Sequence, residues 1–335
     1  MKGALPEHSE VASPLANSPL WQTDWARSGD EQALLRLFEQ AFGHSMTPEQ
    51  WRWKYASSQP AGIVVRHNGE LVAFYGGMPR ALEQYGVTQN AVQIGDVMVA
   101  PRYRRLLTRR GALFCAASNF AVSLVGPGKA YACAYGFPSK RHHQLGERLG
   151  LYGTIGRLLQ ARWSASPPRR HWHYRIRPLT LAQLPLVDQL WQEMKADLTD
   201  RLLLHRTATY IRQRFIDHPV VRYHLHLVLK RFTGVPVGLL VLRDCAPAGV
   251  ELLDLVGRPA ILPTLVQFAR QITTLLGQQQ LYCSLTSTVA QALQLPSDQL
   301  SDPDLPLPIM LWQQPPAILQ TRDRWWLTGG DADYR

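Results

Sequence analysis

Cysteine is scarce in this 335-residue chain: there are four, at Cys115, Cys133, Cys245 and Cys283, and no two form a Cys-x-x-Cys pair. That excludes a disulfide framework and zinc modules built on paired cysteines, and it fits a reducing compartment. Charge is sparse as well, at 18% of residues against 46% hydrophobic, a balance that excludes wholesale disorder. Long apolar runs are missing; a stretch such as 235–242 is far too short to span a bilayer. The first nineteen residues hold Glu7, Glu10, three serines and three prolines without an apolar centre. They do not read as a secretory signal, so residues 1–20 are expected to be a disordered leader and the setting cytoplasmic.

What the chain does have is positive charge. Lys and Arg number 36 against 25 acidic residues, a net +11 with arginine dominating. Such an excess suits a polyanion, a phosphate-bearing cofactor or plain solubility. Ribonucleoprotein, zinc-finger and basic-zipper patterns are absent, so nucleic acid is not expected as a partner.

Periodicity predicts a strand at 21–27, then a helix over 31–42 ended by Gly43. A second helix opens at Thr47-Pro48-Glu49-Gln50 with a capping-box pattern and carries Trp51, Trp53 and Tyr55. Strands at 62–66 and 71–77 flank an Asn68-Gly69 hairpin, and 91–99 is a third. A helix over 108–125, a strand at 129–135, a helix over 139–149 and a further strand complete the half. The segment Ser164-Ala165-Ser166-Pro167-Pro168-Arg169-Arg170 reads as a linker. Beyond it the same order begins again, which suggests a tandem duplication. The expectation is an α/β protein with an α+β-type mixed sheet: a first domain over 21–163, a linker at 164–171 and a second domain over 172–335.

The chemistry is concentrated between Gly95 and Gly111. A strand ends at Val99, Pro101 forbids its continuation, and an arginine-rich loop runs into a helix. Backbone N–H groups and the dipole at a helix start attract anions, and Arg104, Arg105, Arg109 and Arg110 add guanidinium groups suited to phosphate. A diphosphate-bearing cofactor is the natural ligand.

Here the chain resembles the GNAT acyl-CoA N-acyltransferase superfamily. Val99, Pro101, Tyr103 and Arg104 match its Val-x-Pro-x-Tyr-Arg pattern. Downstream, Glu147, Arg148 and Gly150 match the family's Tyr-Glu-Lys-x-Gly-Phe segment, with Leu151 in place of Phe. The resemblance covers about 21–163, with a fainter echo over 172–335, and so implies two tandem GNAT-like domains, the second degenerate. It implies acetyl-CoA or another acyl-CoA as cofactor, and transfer of the acyl group to the amine of a small molecule or peptide. Val97, Met98 and Val99 would meet the thioester arm, and Arg104, Arg105, Leu106, Leu107, Thr108 and Arg109 would wrap the pyrophosphate, with Ser139 nearby.

The sequence also departs from the family. Leu107 and Arg109 stand where glycines are usual, Ser139 replaces an Asn, and Gly146 occupies the position of the tyrosine that protonates the leaving thiolate. Asp96, Tyr135 and Tyr152 remain as catalytic candidates, and Trp51, Trp53, Tyr75 and His142 as substrate-binding ones. Those departures keep two alternatives open: a non-catalytic ligand-binding or scaffold protein, and an aminoacyl-tRNA-dependent transferase. The paired histidines lack acidic or cysteine partners at ligand spacing, so no metal site is expected. Trp325, Trp326, Asp331 and Asp333 form a tail whose tryptophans read as core cover and whose acids are expected near a substrate amine.

Overall fold

The computed structural model describes residues 20–56, 58, 60–104, 108–312 and 316–332. Its first half runs β1 (Gln22–Trp25), α1 (Glu31–Phe42), α2 (Pro48–Tyr55), β2 (Gly62–His67), β3 (Glu70–Gln84), β4 (Val87–Val99), α3 (Ala112–Leu124), β5 (Cys133–Gly136), α4 (Lys140–Arg148) and β6 (Tyr152–Ser164). The second runs β7 (Tyr174–Pro178), α5 (Pro185–Asp197), β8 (Leu202–Leu204), α6 (Ala208–Ile211), β9 (His224–Lys230), β10 (Pro236–Asp244), β11 (Val250–Val256), α7 (Leu262–Leu275), β12 (Gln280–Leu285), α8 (Ser287–Ala292), β13 (Leu300–Met310) and β14 (Trp325–Trp326). With β8 and β14 set aside, the two halves share one element order.

Local chemistry explains much of this. Gly43 closes α1 in the left-handed conformation, and the Thr47/Gln50 capping box opens α2 as its residues require. Asn68 and Gly69, both at positive φ, turn β2 into β3; Tyr85 and Gly86 do the same between β3 and β4. The helix expected from residue 108 starts only at Ala112, and Lys129–Ala132 lie outside β5. The leader expected over 1–20 falls, but for Leu20, on residues outside the described ones, as do Arg105, Leu106, Leu107 and Asp333.

All strands join one mixed sheet in the order β1-β2-β3-β4-β5-β13-β6-β12-β11-β10-β9-β7, with β8 and β14 attached at one side. The central pair is exchanged. β13, the last long strand of the second half, lies between β5 and β6, while β6, the last of the first half, lies between β13 and β12. Each half therefore completes the other's sheet. Two large apolar clusters flank this seam: one of Val92, Phe120 and Ala134 from the first half with Met310 from β13, the other of Trp191, Leu240, Leu255 and Cys283 in the second. No helix among the described residues is long and apolar enough to cross a membrane.

Candidate active site

The site begins with a defect in strand pairing. β4 pairs with β5 in parallel register only from Ala91↔Cys133 to Ile94↔Gly136, and β5 then ends. β4 continues to Val99 on its other neighbour, where Phe74 faces Met98 and Gly76 faces Gly95. Three steps on β4 oppose two on β3, so the extra residue makes a bulge. Asp96 sits in that bulge at φ +49°, a left-handed conformation that a non-glycine residue holds only when its surroundings impose it.

Those surroundings are visible. Lys54 Nζ donates to Asp96 Oδ1 at 2.8 Å, and the Tyr55 hydroxyl donates to Oδ2 at 2.9 Å, all three side chains being buried. The helix that the capping box opens thus delivers, from its last turn, a cation and a phenol to the bulge. Removing one partner of such a buried ion pair costs about 3–5 kcal/mol, because the other is left uncompensated.

Beyond the point where β4 and β5 part lies a cavity of about 200 Å³. Gly95, Asp96 and Val97 form one wall, Tyr135 to Ser139 another, and Tyr75, His142, Tyr152 and Met310 line it as well. Met310 belongs to β13, so the second half supplies part of the first half's cleft. Ser139 caps α4, accepting from the His142 backbone N–H at 3.4 Å.

Two tyrosines meet inside. The Tyr75 and Tyr152 hydroxyls are 3.2 Å apart. Burial pushes the Tyr152 phenol up to about 12, and burial with Tyr152 beside it holds Tyr75 well above the ordinary tyrosine range, so both are neutral. Burial and the adjacent His143 press His142 down to about 4, so its imidazole is neutral near pH 7. The Tyr135 hydroxyl donates to Gln93 Oε1 at 3.4 Å, and its ring packs on Trp325.

Gly146 explains how Tyr152 fits. A Cβ built on Gly146 would lie 2.0 Å from Tyr152 Cδ2 and 2.3 Å from Cε2, inside the ring. A tyrosine at 146 and the present position of Tyr152 exclude one another. The ring from β6 fills the space beside α4.

The anion-binding end is less concentrated than the sequence suggests. Arg104 donates from Nε to the Val99 carbonyl at 2.9 Å and from Nη2 to the Ala41 carbonyl at 2.8 Å, tying the end of β4 to α1. Thr108, Arg109 and Arg110 are exposed before α3, whose N-cap Gly111 offers no side-chain cap. Among the described residues no side chain caps the first-turn N–H groups of α3, the arrangement that an anion site uses.

The expected residues divide accordingly. Asp96, Val97, Tyr75, Tyr135, Ser139, His142 and Tyr152 share the cavity. Met98 is buried in the cluster around Phe74, and Val99 packs on the other side of the sheet. Trp51 is buried against Tyr55 and Phe74, away from the cavity. Trp53 donates to the Gln213 carbonyl at 2.6 Å and stacks on His218, bridging to the second half. Asp331 is fully buried, held by Arg206 and by Arg80 Nη2 at 3.2 Å, which leaves no place for it on a substrate amine. Phe137 and Phe42, which also line the cavity, escaped sequence reasoning; Phe42 ends a helix whose apolar face predicts core.

The second half repeats the motif and closes it. β11 pairs with β12 at only Val250↔Leu281 and Glu251↔Tyr282. Asp254 stands five residues before Pro259, as Asp96 stands five before Pro101, and both prolines open a 3-10 turn. Into this second gap goes the chain's own 328–331 turn: Thr328 bridges to Leu285 and donates to Asp254 Oδ1 at 3.2 Å, while Arg206 binds both Asp254 and Asp331.

Residues 23–114 match the family model of the acetyltransferase (GNAT) domain. No curated protein matches the chain in sequence. Among solved structures, it is similar to a conserved protein of unknown function from Enterococcus faecalis V583, described as a probable N-acyltransferase (TM-score 0.67, 13% identity, covering 87% of this chain and 73% of that one). It is similar to a GCN5-related N-acetyltransferase from Anabaena variabilis (TM-score 0.64, 17% identity, 86% and 72%). A third is Saccharomyces cerevisiae N-myristoyltransferase with bound myristoyl-CoA (TM-score 0.60, 12% identity, 90% and 84%). With the bulged, parting strand and the cavity beneath it, these likenesses show a mixed α/β protein of the GNAT fold, whose residues 23–114 match the GNAT acetyltransferase domain model.

Proposed function

We propose that the protein is an acyl-CoA-dependent N-acyltransferase that moves a short acyl group, acetyl in the simplest case, to an amine of a small molecule or peptide. The observation that carries this reading is the cavity opening where β4 leaves β5, with the bulge at Asp96 on one wall and a neutral tyrosine pair on the other. Residues 21–163 and 172–335 act as tandem GNAT domains, of which the first holds the reaction. The family match, which falls on residues 23–114, supports that division of labour.

The chain's residues fit an acyl-CoA. The stretch Gly95–Val97, which lies past the last β4–β5 pair, suits an extended pantetheine arm, and the start of α3 with Arg109 and Arg110 suits a pyrophosphate. A thioester bound there supplies an activated acyl group. The acceptor nitrogen attacks the thioester carbonyl, the C–S bond breaks and its electron pair goes to sulfur. Tyr152 donates its hydroxyl proton to that sulfur, and the proton shed by nitrogen returns to the phenolate through solvent, so none is consumed. Tyr75 holds the Tyr152 hydroxyl in place. Neutral His142 adds no positive charge where the amine enters, and an ammonium form gives up one proton to solvent before its nitrogen can attack.

Calorimetric titration with acetyl-CoA and with free CoA tests this. Micromolar binding supports the reading, and its absence up to millimolar concentration overturns it. The Arg109→Ala, Arg110→Ala double variant is expected to lose ~1–3 kcal/mol of CoA binding, as charged hydrogen bonds to phosphate would.

A further inference from the structure

The net charge of +11 is not spread evenly. Residues 165–187 carry Arg169, Arg170, Arg175 and Arg177 without one acid, and residues 218–243 carry Arg222, Lys230, Arg231 and Arg243, again without one. The fold brings both segments together: β7 pairs with β9 from Tyr174↔Lys230 to Pro178↔His226, at the free edge of the sheet. Arg243 is held by Glu251, but none of the other seven forms an ion pair among the described residues. The reaction cavity is lined from β3, β4, β5, β13 and β6, in the middle of the sheet order and separated from β7 by β12, β11, β10 and β9, so this charge does not serve it.

An apolar knob stands in the middle of the charge. Trp172 is 73% exposed and Phe232 76%, and their rings touch edge to face at 6.3 Å. Both sit on tight connections that fix them. Arg231 donates from Nε to the His171 carbonyl at 2.9 Å and from Nη2 to the Tyr174 carbonyl at 3.1 Å, so the guanidinium braces the turn that presents Trp172. Val235, 42% exposed, extends the apolar surface on the same hairpin. Two large aromatics kept out of the core at a cost in exposed apolar area mark a contact surface.

We propose that this edge docks the protein on an anionic lipid bilayer, with Trp172 and Phe232 entering the headgroup region and the surrounding arginines facing the lipid charges. The charge complementarity fits a surface of negative sign, and an indole beside a phenyl ring is the chemistry that settles at a membrane–water interface. The tilted, edge-to-face pair offers a wedge rather than a flat platform, which favours lipid over stacked nucleobases. This is attachment to a surface, and it needs no spanning helix.

Co-sedimentation of the full chain with vesicles tests the proposal. Vesicles of phosphatidylcholine with about one-third phosphatidylserine are expected to retain the protein, pure phosphatidylcholine to leave it in solution, and about 0.5 M salt to release it. Trp172→Ala with Phe232→Ala is expected to lower retention roughly tenfold at unchanged melting temperature, since both side chains are exposed. Arg169→Gln with Arg170→Gln is expected to lower it by a similar factor while the aromatics stay in place. No retention on anionic vesicles, equal retention on neutral ones, or undiminished retention of the aromatic variant would each overturn the proposal. Tighter retention by single-stranded RNA than by anionic vesicles would overturn it too, in favour of a nucleic-acid partner.

Discussion

Gly146 and Tyr152 are a single feature read at two positions. In sequence, Gly146 appears as a lost acid, because the resemblance places a tyrosine there. In the fold, the glycine is what lets a tyrosine from the next strand reach the same cavity, since any Cβ would enter its ring. Tyr152→Phe is therefore expected to lower kcat about a hundredfold with acetyl-CoA affinity unchanged, measured by thiol release alongside calorimetry. Tyr75→Phe should cost far less in kcat. Equal losses in the two variants would argue against Tyr152 as the donor. Gly146→Ala should cost both activity and stability, because Tyr152 must move aside.

Titration makes a second prediction at this scale. His142 and His226 are both pressed down to about 4 by burial, each with a neighbouring histidine adding to the effect. Unfolded, each takes up a proton near 6.5. The unfolded chain thus binds more protons between those values, so stability is full above about pH 6.5 and falls as pH drops toward 4. Thermal melts across that range check this. A flat profile would mean that neither imidazole is held neutral in the fold.

Among the elements, those built on local rules were legible and those built on distant partners were not. The α1 and α2 helices, the Asn68-Gly69 hairpin and the order of strands and helices follow from periodicity, caps and turn residues. β13 did not show itself. It carries Pro303, Pro306 and Pro308, and proline normally argues against a strand in the middle of a sheet because it removes a ladder donor. Here the strand meets β6 with register shifts beside these prolines, so pairing survives in interrupted form. β8 and β14 were missed because three residues and two are too few to show a period. The cavity walls were half legible for the same reason: Asp96, Ser139 and Tyr152 belong to a motif, whereas Phe137 and Met310 arrive through tertiary pairing. Leu307 is fully buried in β13, and Leu307→Ala is expected to destabilise by about 2–5 kcal/mol, readable as a lower denaturation midpoint.

At the scale of the molecule, the buried charges report how the C-terminal turn is held. Arg206, Asp254 and Asp331 are all fully buried, and Arg80 joins them from β3. Asp331→Ala would leave Arg206 with one carboxylate fewer in a dry site, for an expected loss of about 3–5 kcal/mol. A loss near zero would place water in that network. The linkage also reaches between halves, since Arg80 and Asp331 lie 251 positions apart.

The exchanged strands give the chain a property of its assembly rather than of its chemistry. Residues 165–173 form an irregular bridge between β6 and β7, yet the halves are also joined through β5, β13, β6 and β12. A protease cut in that bridge should leave two fragments that migrate as one particle and melt together, because each supplies the strand the other lacks. Either fragment made alone would carry an open slot in its sheet and an unpaired strand beside it, the combination that drives chains to aggregate or to seek a complement.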